Sequence, residues 1–335
     1  MTTDGTEKSD EWLRYCSLVV QEEEGSEFAI DLSAFRIKFQ ITQAVQCKPS
    51  TAVITVYNVS NETAGRIQAP EVDDAASKKI RVLLAAGYEE HHAMIFDGDL
   101  VWKAVGRESQ VDTYVRLIAI SGGRVAEYGH MSASLPAGCG DDDICKRIRE
   151  ETSKHGVSTI KTPRLNPAKH VRGVTLYGQP HAELEKVSAS NSFDFGYTAN
   201  GEITFFNTGL TYDADEPVTV LSPSTGLIGR PTITTQGIRC RMLINPAIDL
   251  GALVQLNNDE FVMADYDTNQ ASGEALVNNW YTASDTQFDP SGLYRVASRE
   301  IHGDTRGEDW YMDLVCFSMR GAQTIDESTQ AWVDN

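Results

Sequence analysis

The sequence writes one structural element twice. Residues 112–120 read DTYVRLIAI and residues 309–317 read DWYMDLVCF, each preceded by a polar turn-forming stretch (VGRESQV; IHGDTRGE) and, before that, by another strand-like run. An aspartate, a tyrosine and alternating apolar positions coincide in the two. Alternation at period two marks a strand with one buried and one wet face. Two similar β-domains in one polypeptide explain the match, and such a chain presents six similar units when three copies assemble.

A length of 335 residues is enough for two or three domains with cores of their own. The 48 acidic and 29 basic side chains leave a formal charge of -19. Such a surface repels nucleic acid, because phosphate binding draws on clustered Lys and Arg. The basic residues here are scattered, apart from Lys146, Arg147 and Arg149 on an expected helix and Lys169, His170 and Arg172 near a loop. Solubilising charge explains the balance, and an acidic wall would also let DNA pass along a conduit without sticking. The first 30 residues carry an acidic run at 22–24 and no basic stretch followed by an apolar one, so no secretory signal is expected and the chain is expected to stay in the cytoplasm. No apolar run approaches the ~18 residues of a membrane helix. The longest, IRVLLAAG from Ile80, has strand length.

Six cysteines (Cys16, Cys47, Cys139, Cys145, Cys240, Cys316) fall at no metal-ligand spacing and are expected to be reduced thiols, Cys240 and Cys316 as small hydrophobes inside strands.

Along the chain, the expected order is β, a short α+β insert, then β again. After a polar start, Trp12 to Val20 can pair as an edge strand, and Phe35, Ile37, Phe39 and Ile41 alternate with Arg36, Lys38 and Gln40. AVITVYNV (52–59) is a second strand, followed by a brief helix from Thr63 to Gln68 that Pro70 ends. Ile80 to Ala85 and Ala93 to Val105 are strands separated by Gly87-Tyr88, with Gly98 expected to mark a bulge or bend. Five to six strands in so short a stretch suggest a small barrel or sandwich.

Composition shifts at Gly122-Gly123. DDDICKRIREETSKHG from Asp141 reads as a helix, with three aspartates at the electropositive end and Lys154, His155 and Gly156 at the other. A second helix runs from Pro180 to Ala189, and FDFGYTANGEITFF follows as a hairpin with Asn200-Gly201 expected in a type I′ turn. From Pro217 strands return: VTVLS, a turn region with Gly226, Gly229 and Pro231, then IRCRMLIN, LGALVQL and FVMADYD. Residues 269–292 read as a polar surface excursion, Leu293 to Ile301 pairs with Trp310 to Phe317, and the last fifteen residues read as a tail.

Catalytic chemistry is not announced. There is no glycine-rich phosphate loop, no Gly-x-Ser-x-Gly elbow and no His-Glu-x-x-His helix. His91-His92 is the one histidine tandem, and neighbours on a strand face opposite ways. Asp97 and Asp99 could mimic a carboxylate pair, but a glycosidase also needs a cleft with stacking aromatics, and only Phe96 and Trp102 are near. Asp141, Asp142 and Asp143 favour capping over metal binding, since neighbours at a helix start point apart. No catalytic, metal or cofactor residue is therefore assigned, no cofactor is expected, and the binding residues stay unassigned.

IKFQIT, KPSTAVITVYNVSNETAGRI, KIRVLLAAGYEE and IFDGDLV leading into DTYVRLIAI, in that order, resemble the N-terminal half of baseplate hub proteins of tailed bacteriophages. LTYDADEPVTVLSPSTGLIGRPTITTQGIRCRMLINPAIDLGALVQL and GLYRVASREIHGDTRGEDWYMDLVCF are similar to the second half of that family. The resemblance spans about Phe28 to Met319 and rests on many moderate matches in order. It implies a mainly β fold in which two small, similar tube-type β-barrels flank an α+β middle domain: an acidic N-terminal segment (1–27), a first barrel (28–124), a middle domain (125–208), a second barrel (209–320) and a tail (321–335). It implies a structural virion protein at the tail tip, assembled in the host cytoplasm. The implied assembly is a homotrimer that adapts a sixfold tail tube to a threefold central spike and forms part of the DNA conduit. The implied partners are the tail tube or distal tail protein, the spike, the tape measure and wedge proteins, and DNA that passes without specific binding.

Two other classes are weighed. A cell-wall-degrading tail enzyme would need a compact catalytic constellation in a spare domain, and a carbohydrate-binding β-module of receptor-binding type would expose aromatic platforms. With 8% aromatic residues, Trp12, Trp102, Trp280, Trp310 and Trp332 are dispersed.

Overall fold

The computed structural model describes residues 13–22, 29–45, 49–67, 80–122, 125, 129–159, 165–191, 193–207, 211–213, 217–234, 237–256, 262–263, 292–318 and 323–325. The first strands are β1 (Arg14–Glu22), β2 (Ala29–Asp31), β3 (Ile37–Ala44) and β4 (Thr51–Tyr57). Helix α1 (Asn61–Arg66) precedes β5 (Ile80–Tyr88), β6 (His92–Arg107) and β7 (Thr113–Ile120). The middle of the chain contains β8 (Met131–Leu135), α2 (Asp141–Lys154), β9 (Val174–Gly178), α3 (Pro180–Asn191), β10 (Phe193–Tyr197) and β11 (Ile203–Asn207). Then follow β12 (Thr211–Asp213), β13 (Val218–Leu221), β14 (Leu227–Thr234), β15 (Gly237–Leu243) and β16 (Leu253–Leu256). The last strands are β17 (Val262–Met263), β18 (Leu293–Asp304), β19 (Trp310–Ser318) and β20 (Gln323–Ile325). The fold is mainly β with few helices, as the alternation requires.

The repeat extends far beyond the two hairpins. One set of strands is ordered β3-β4-β7-β6-β5 and a second β14-β15-β19-β18-β16, and every neighbouring pair in both is antiparallel. The register also matches. Val105 lies opposite Val115 and Ile301 opposite Met312, and a single extra residue bulges at the same place in each hairpin, Val101 in β6 and Ala297 in β18. The sets diverge at their outer ends, where β1 runs antiparallel to β5 but β13 runs parallel to β16.

The two sets are one sheet. From Ser298 to Asp304, β18 pairs with β3 from Ala44 back to Lys38, so the second set continues into the first. One hydrophobic cluster fills both, including Phe39, Ile41, Ile54 and Leu117 from the first and Ile301, Met312, Leu314 and Trp310 from the second. Phe39 meets Trp310 edge-on with ring centroids 5.7 Å apart. Each such buried side chain contributes on the order of 1.5–3 kcal/mol relative to exposure. Among the described residues the sheet is an open path, and no strand pair closes either set into a barrel.

The middle of the chain has a separate core. Ile144 and Ile148 of α2 and Leu184 and Val187 of α3 share it with Phe193, Phe195 and Tyr197 of β10. The ends of α2 follow local chemistry: Asp143 accepts a hydrogen bond from the Gly140 backbone N–H at 3.0 Å, His155 is the C-cap and Gly156 takes φ 77°.

Several local expectations change. Helix α1 starts and ends two residues early, because the Ser60 hydroxyl accepts from the Thr63 N–H (3.1 Å) as N-cap; Pro70 lies outside the described residues. Gly87 and Tyr88 belong to β5, and the turn falls at 89–91. Gly98 is no bulge, since it pairs in register with Val82; the extra residues of β6 are Ile95 and Val101. A glycine is needed at 98 because a Cβ there would sit 2.8 Å from the Ile120 carbonyl carbon. The Asn200-Gly201 turn is not type I′, because Asn200 has no positive φ. The Gly201 N–H closes back onto the Thr198 carbonyl, with Gly201 alone left-handed at φ 74°. Gly229 and Pro231 lie within β14 at an irregularity rather than in a turn. Strand β1 is flanked by β5 and β2 rather than being an edge, and β20 breaks the expected tail by pairing in parallel with β12. The expected surface excursion lies, apart from Gly292, outside the described residues.

Candidate assembly interface

Several of the groups weighed for chemistry are tied to structural partners. His92 approaches the Tyr88 and Glu89 carbonyls (3.3 and 3.1 Å) and stacks on Tyr15 with centroids 3.7 Å apart. Asp97 is buried in a two-point ion pair with Arg81, at 2.8 and 2.5 Å, in a narrow cleft that Asp99, His155 and Asn200 also line. The three aspartates of α2 part company: Asp143 caps, while Asp141 binds His170 Nε2 and Asn191 Nδ2, both at 2.7 Å. Among the described residues no three His, Cys, Asp or Glu side chains gather as metal ligands. Cys16, Cys139, Cys145, Cys240 and Cys316 are free thiols, and burial pushes Cys16 and Cys145 up to about 12, far from a reactive thiolate. Cys47 lies outside the described residues. No described helix is long and apolar enough to cross a membrane.

Among the described residues an extended polar network marks the seam where β18 meets β3. Its wet face carries Gln40 donating to Glu300 at 2.6 Å and Lys38 3.7 Å from Asp309. At its end, Arg36 grips Asp304 through Nε and Nη2 (3.1 and 2.6 Å), and the Thr305 hydroxyl accepts from the Ile37 N–H. Hydrogen bonding from Arg36 holds the Asp304 carboxyl below its ordinary pKa. Arg14 reaches from β1 into the β18–β19 turn, donating to the Asp304, Gly307 and Glu308 carbonyls while lying over the Trp310 ring.

On the inner face of the seam, Arg299 is wholly buried. It donates to Gln43 Oε1 and, at 2.6 Å, to the Ile248 carbonyl, and its Nη2 stands 2.9 Å from Asp249 Oδ1. Burial pulls this guanidinium's pKa down and Asp249 pushes it back up. Neither Arg299 nor Asp304 stood out in the sequence. The available signal was that Arg299 is in phase with Ile301, a cation on the apolar side of a strand.

The equivalent edge of the first set is bare. From Trp102 to Arg107, β6 pairs with β7 on one side, and no strand among the described residues pairs with the other. Val105 is 56% exposed there, whereas Ile301, at the same register position of β18, is 1% exposed under β3. Val101 and Trp102 are also exposed. The isolated aromatic platform expected of a sugar-binding module is thus limited to Trp102 among the described tryptophans, since Trp310 is buried.

No protein-family model matches the chain, and no curated protein matches it in sequence. Solved structures do match in fold. A tail protein from Neisseria meningitidis aligns with a TM-score of 0.53 at 8% identity, covering 91% of this chain and 97% of that one. The 43 kDa tail protein of prophage MuSo2 from Shewanella oneidensis aligns with a TM-score of 0.51 at 7% identity, over 92% of this chain and 99% of that one. A type VI secretion component of E. coli, described as structurally similar to the phage T4 tail proteins gp27 and gp5, aligns with a TM-score of 0.50 at 8% identity, over 91% and 79%. The chain therefore has the fold of phage tail proteins and of the secretion component that resembles them.

Proposed function

We propose that this chain is a structural component of a phage-type tail, a non-enzymatic baseplate hub that assembles as a trimer and joins a sixfold tube to a threefold spike around a DNA conduit. The observation that carries this reading is the repeated strand order, with the two sets already joined edge to edge in one chain. Three chains arranged about an axis would then offer six similar sheets to a sixfold tube while keeping only threefold symmetry for a spike. The fold likeness to tail proteins supports the same reading.

We assign residues 28–124 and 209–320 to the two tube-like units, 125–208 to the middle unit, and 1–27 and 321–335 to the flanking segments. The formal charge of -19 fits a lumen that does not retain DNA. The deciding experiment is stoichiometry by native mass measurement of the purified chain and of the assembled particle. Three copies on the tail axis are expected. Six copies, or a monomer bound at the tail periphery, would overturn the reading, and release of fragments from peptidoglycan by the purified chain would replace it with the enzyme alternative.

A further inference from the structure

The internal repeat makes the two sheet edges comparable residue by residue. Matching Val105 to Ile301 and Val115 to Met312 places Ala104 at the position of Glu300 and Gly106 at that of His302. In the second strand set the outer side of these residues is taken by β3, with Thr42 opposite Glu300, Ile41 opposite Ile301 and Gln40 opposite His302. The strand of the second set that corresponds to β3 is β14. Each pairs with the strand next in its set, Ile37 with Val56 and Leu227 with Met242, Ile41 with Ala52 and Ile233 with Ile238.

We propose that the bare edge of β6, from Trp102 to Arg107, receives strand β14 of a second copy of this chain, antiparallel and in the register that β3 adopts on β18. Gly106 then lies opposite Thr232, Val105 opposite Ile233 and Ala104 opposite Thr234 of the neighbouring copy. This inference rests on the ring-forming reading above and adds which edges meet and how.

Three features point to a second copy rather than an unrelated strand. The occupant of the corresponding place inside the chain is known, and β14 is its counterpart by order and register. The β6 edge is apolar where it is bare, through Trp102 and Val105, and the register sets Val105 opposite Ile233 just as Ile301 lies opposite Ile41 within the chain. An unpaired edge of this kind is a template for another strand of matching pattern. Among the described residues the outer side of β14 is held by β17 at Thr232 and Ile233, in parallel, so the three antiparallel pairs named above displace a two-residue contact. Because donor and acceptor edges differ, the contact is head to tail, each copy giving one edge and receiving one, the kind of contact that builds a ring when the rotation between copies closes.

The test uses engineered cysteines at paired positions. Copies carrying A104C and copies carrying T234C are oxidised separately and mixed, beside the unaltered protein and an in-chain control, T42C with E300C, whose disulfide should close within one chain. The expected result is a chain-to-chain disulfide in the mixture, absent from either variant alone and from the unaltered protein. The double variant A104C/T234C should link three chains covalently, and it is oxidised in the assembled particle if the purified chain is monomeric. V105D should lower the trimer fraction at least tenfold while leaving the far-ultraviolet circular dichroism of the chain unchanged. An oxidised mixture of the two variants that forms trimers but no chain-to-chain disulfide, or A104C copies that link to one another, overturns the proposed junction while leaving the hub reading standing. A particle with six copies sinks the hub reading whatever the disulfide does.

Discussion

Lys103 and Arg299 occupy the same register position of the two repeated hairpins, opposite Leu117 and Leu314, and each cation ties down the segment that crosses between corresponding strands. Lys103 donates to the Ala64 carbonyl at 2.8 Å and to that of Ile67, between β4 and β5; Arg299 donates to the Ile248 carbonyl at 2.6 Å, between β15 and β16. The repeat thus preserves a contact as well as a strand order. The environments differ, since Arg299 is sealed under β3 and Lys103 sits by the bare edge of β6.

Replacing Arg299 by Met should strand the Ile248 carbonyl, Gln43 and Asp249 in the seam and cost about 3–5 kcal/mol, the range for removing one partner of a buried charge pair. Urea unfolding checks this. A loss below about 1 kcal/mol would mean that water or a shifted side chain replaces the guanidinium. Arg299→Lys should rescue little, because an ammonium cannot span three acceptors held around a planar fork.

Lys103→Met should cost less, about 1 kcal/mol, since its side chain is half-buried and water can reach the freed carbonyls. The ordering of the two variants is the prediction. Equal losses would show that the two crossover contacts are energetically alike despite their burial.

Asp304 should make the seam sensitive to acid. Its carboxyl is held below its ordinary pKa by Arg36, so its contribution is complete above about 4, the unfolded value, and is lost as the pH falls through the lower folded value. Asp304→Asn should therefore be less stable than the natural protein at pH 7 and should converge with it in stronger acid. A gap that persists unchanged at the acid end would assign the effect to packing rather than charge.

Gly98→Ala should destabilise by about 1–3 kcal/mol, the usual cost of forcing an atom into a packed site, because its Cβ would press on the Ile120 backbone. Gly65→Ala, in α1 with open space around it, should be neutral or stabilising by up to about 1 kcal/mol. Thermal unfolding of the two variants separates them.

The separate core of the middle segment should melt separately. The two strand sets share one hydrophobic cluster and the middle has its own, so calorimetry should show two transitions, with Arg299→Met lowering only the one that belongs to the sheet. A single transition shifted as a whole would mean that the contacts between them couple the cores.

What could be read from the residues alone was local in origin. The hairpins at 112–120 and 309–317 declared themselves because alternation depends only on which face of a strand is wet, and α2 declared itself because Asp143 and Gly156 act within a turn of the helix they bound. The bulges were hidden. Val101 and Ala297 carry no signature, and Gly98, which looked like one, is a glycine because the Ile120 backbone crowds it from a neighbouring strand. The seam was hidden for the same reason. Whether β18 is flanked by β3, and so whether Ile301 is buried while Val105 is not, depends on strands more than 250 residues apart in sequence meeting over a shared core, and no local propensity records that pairing.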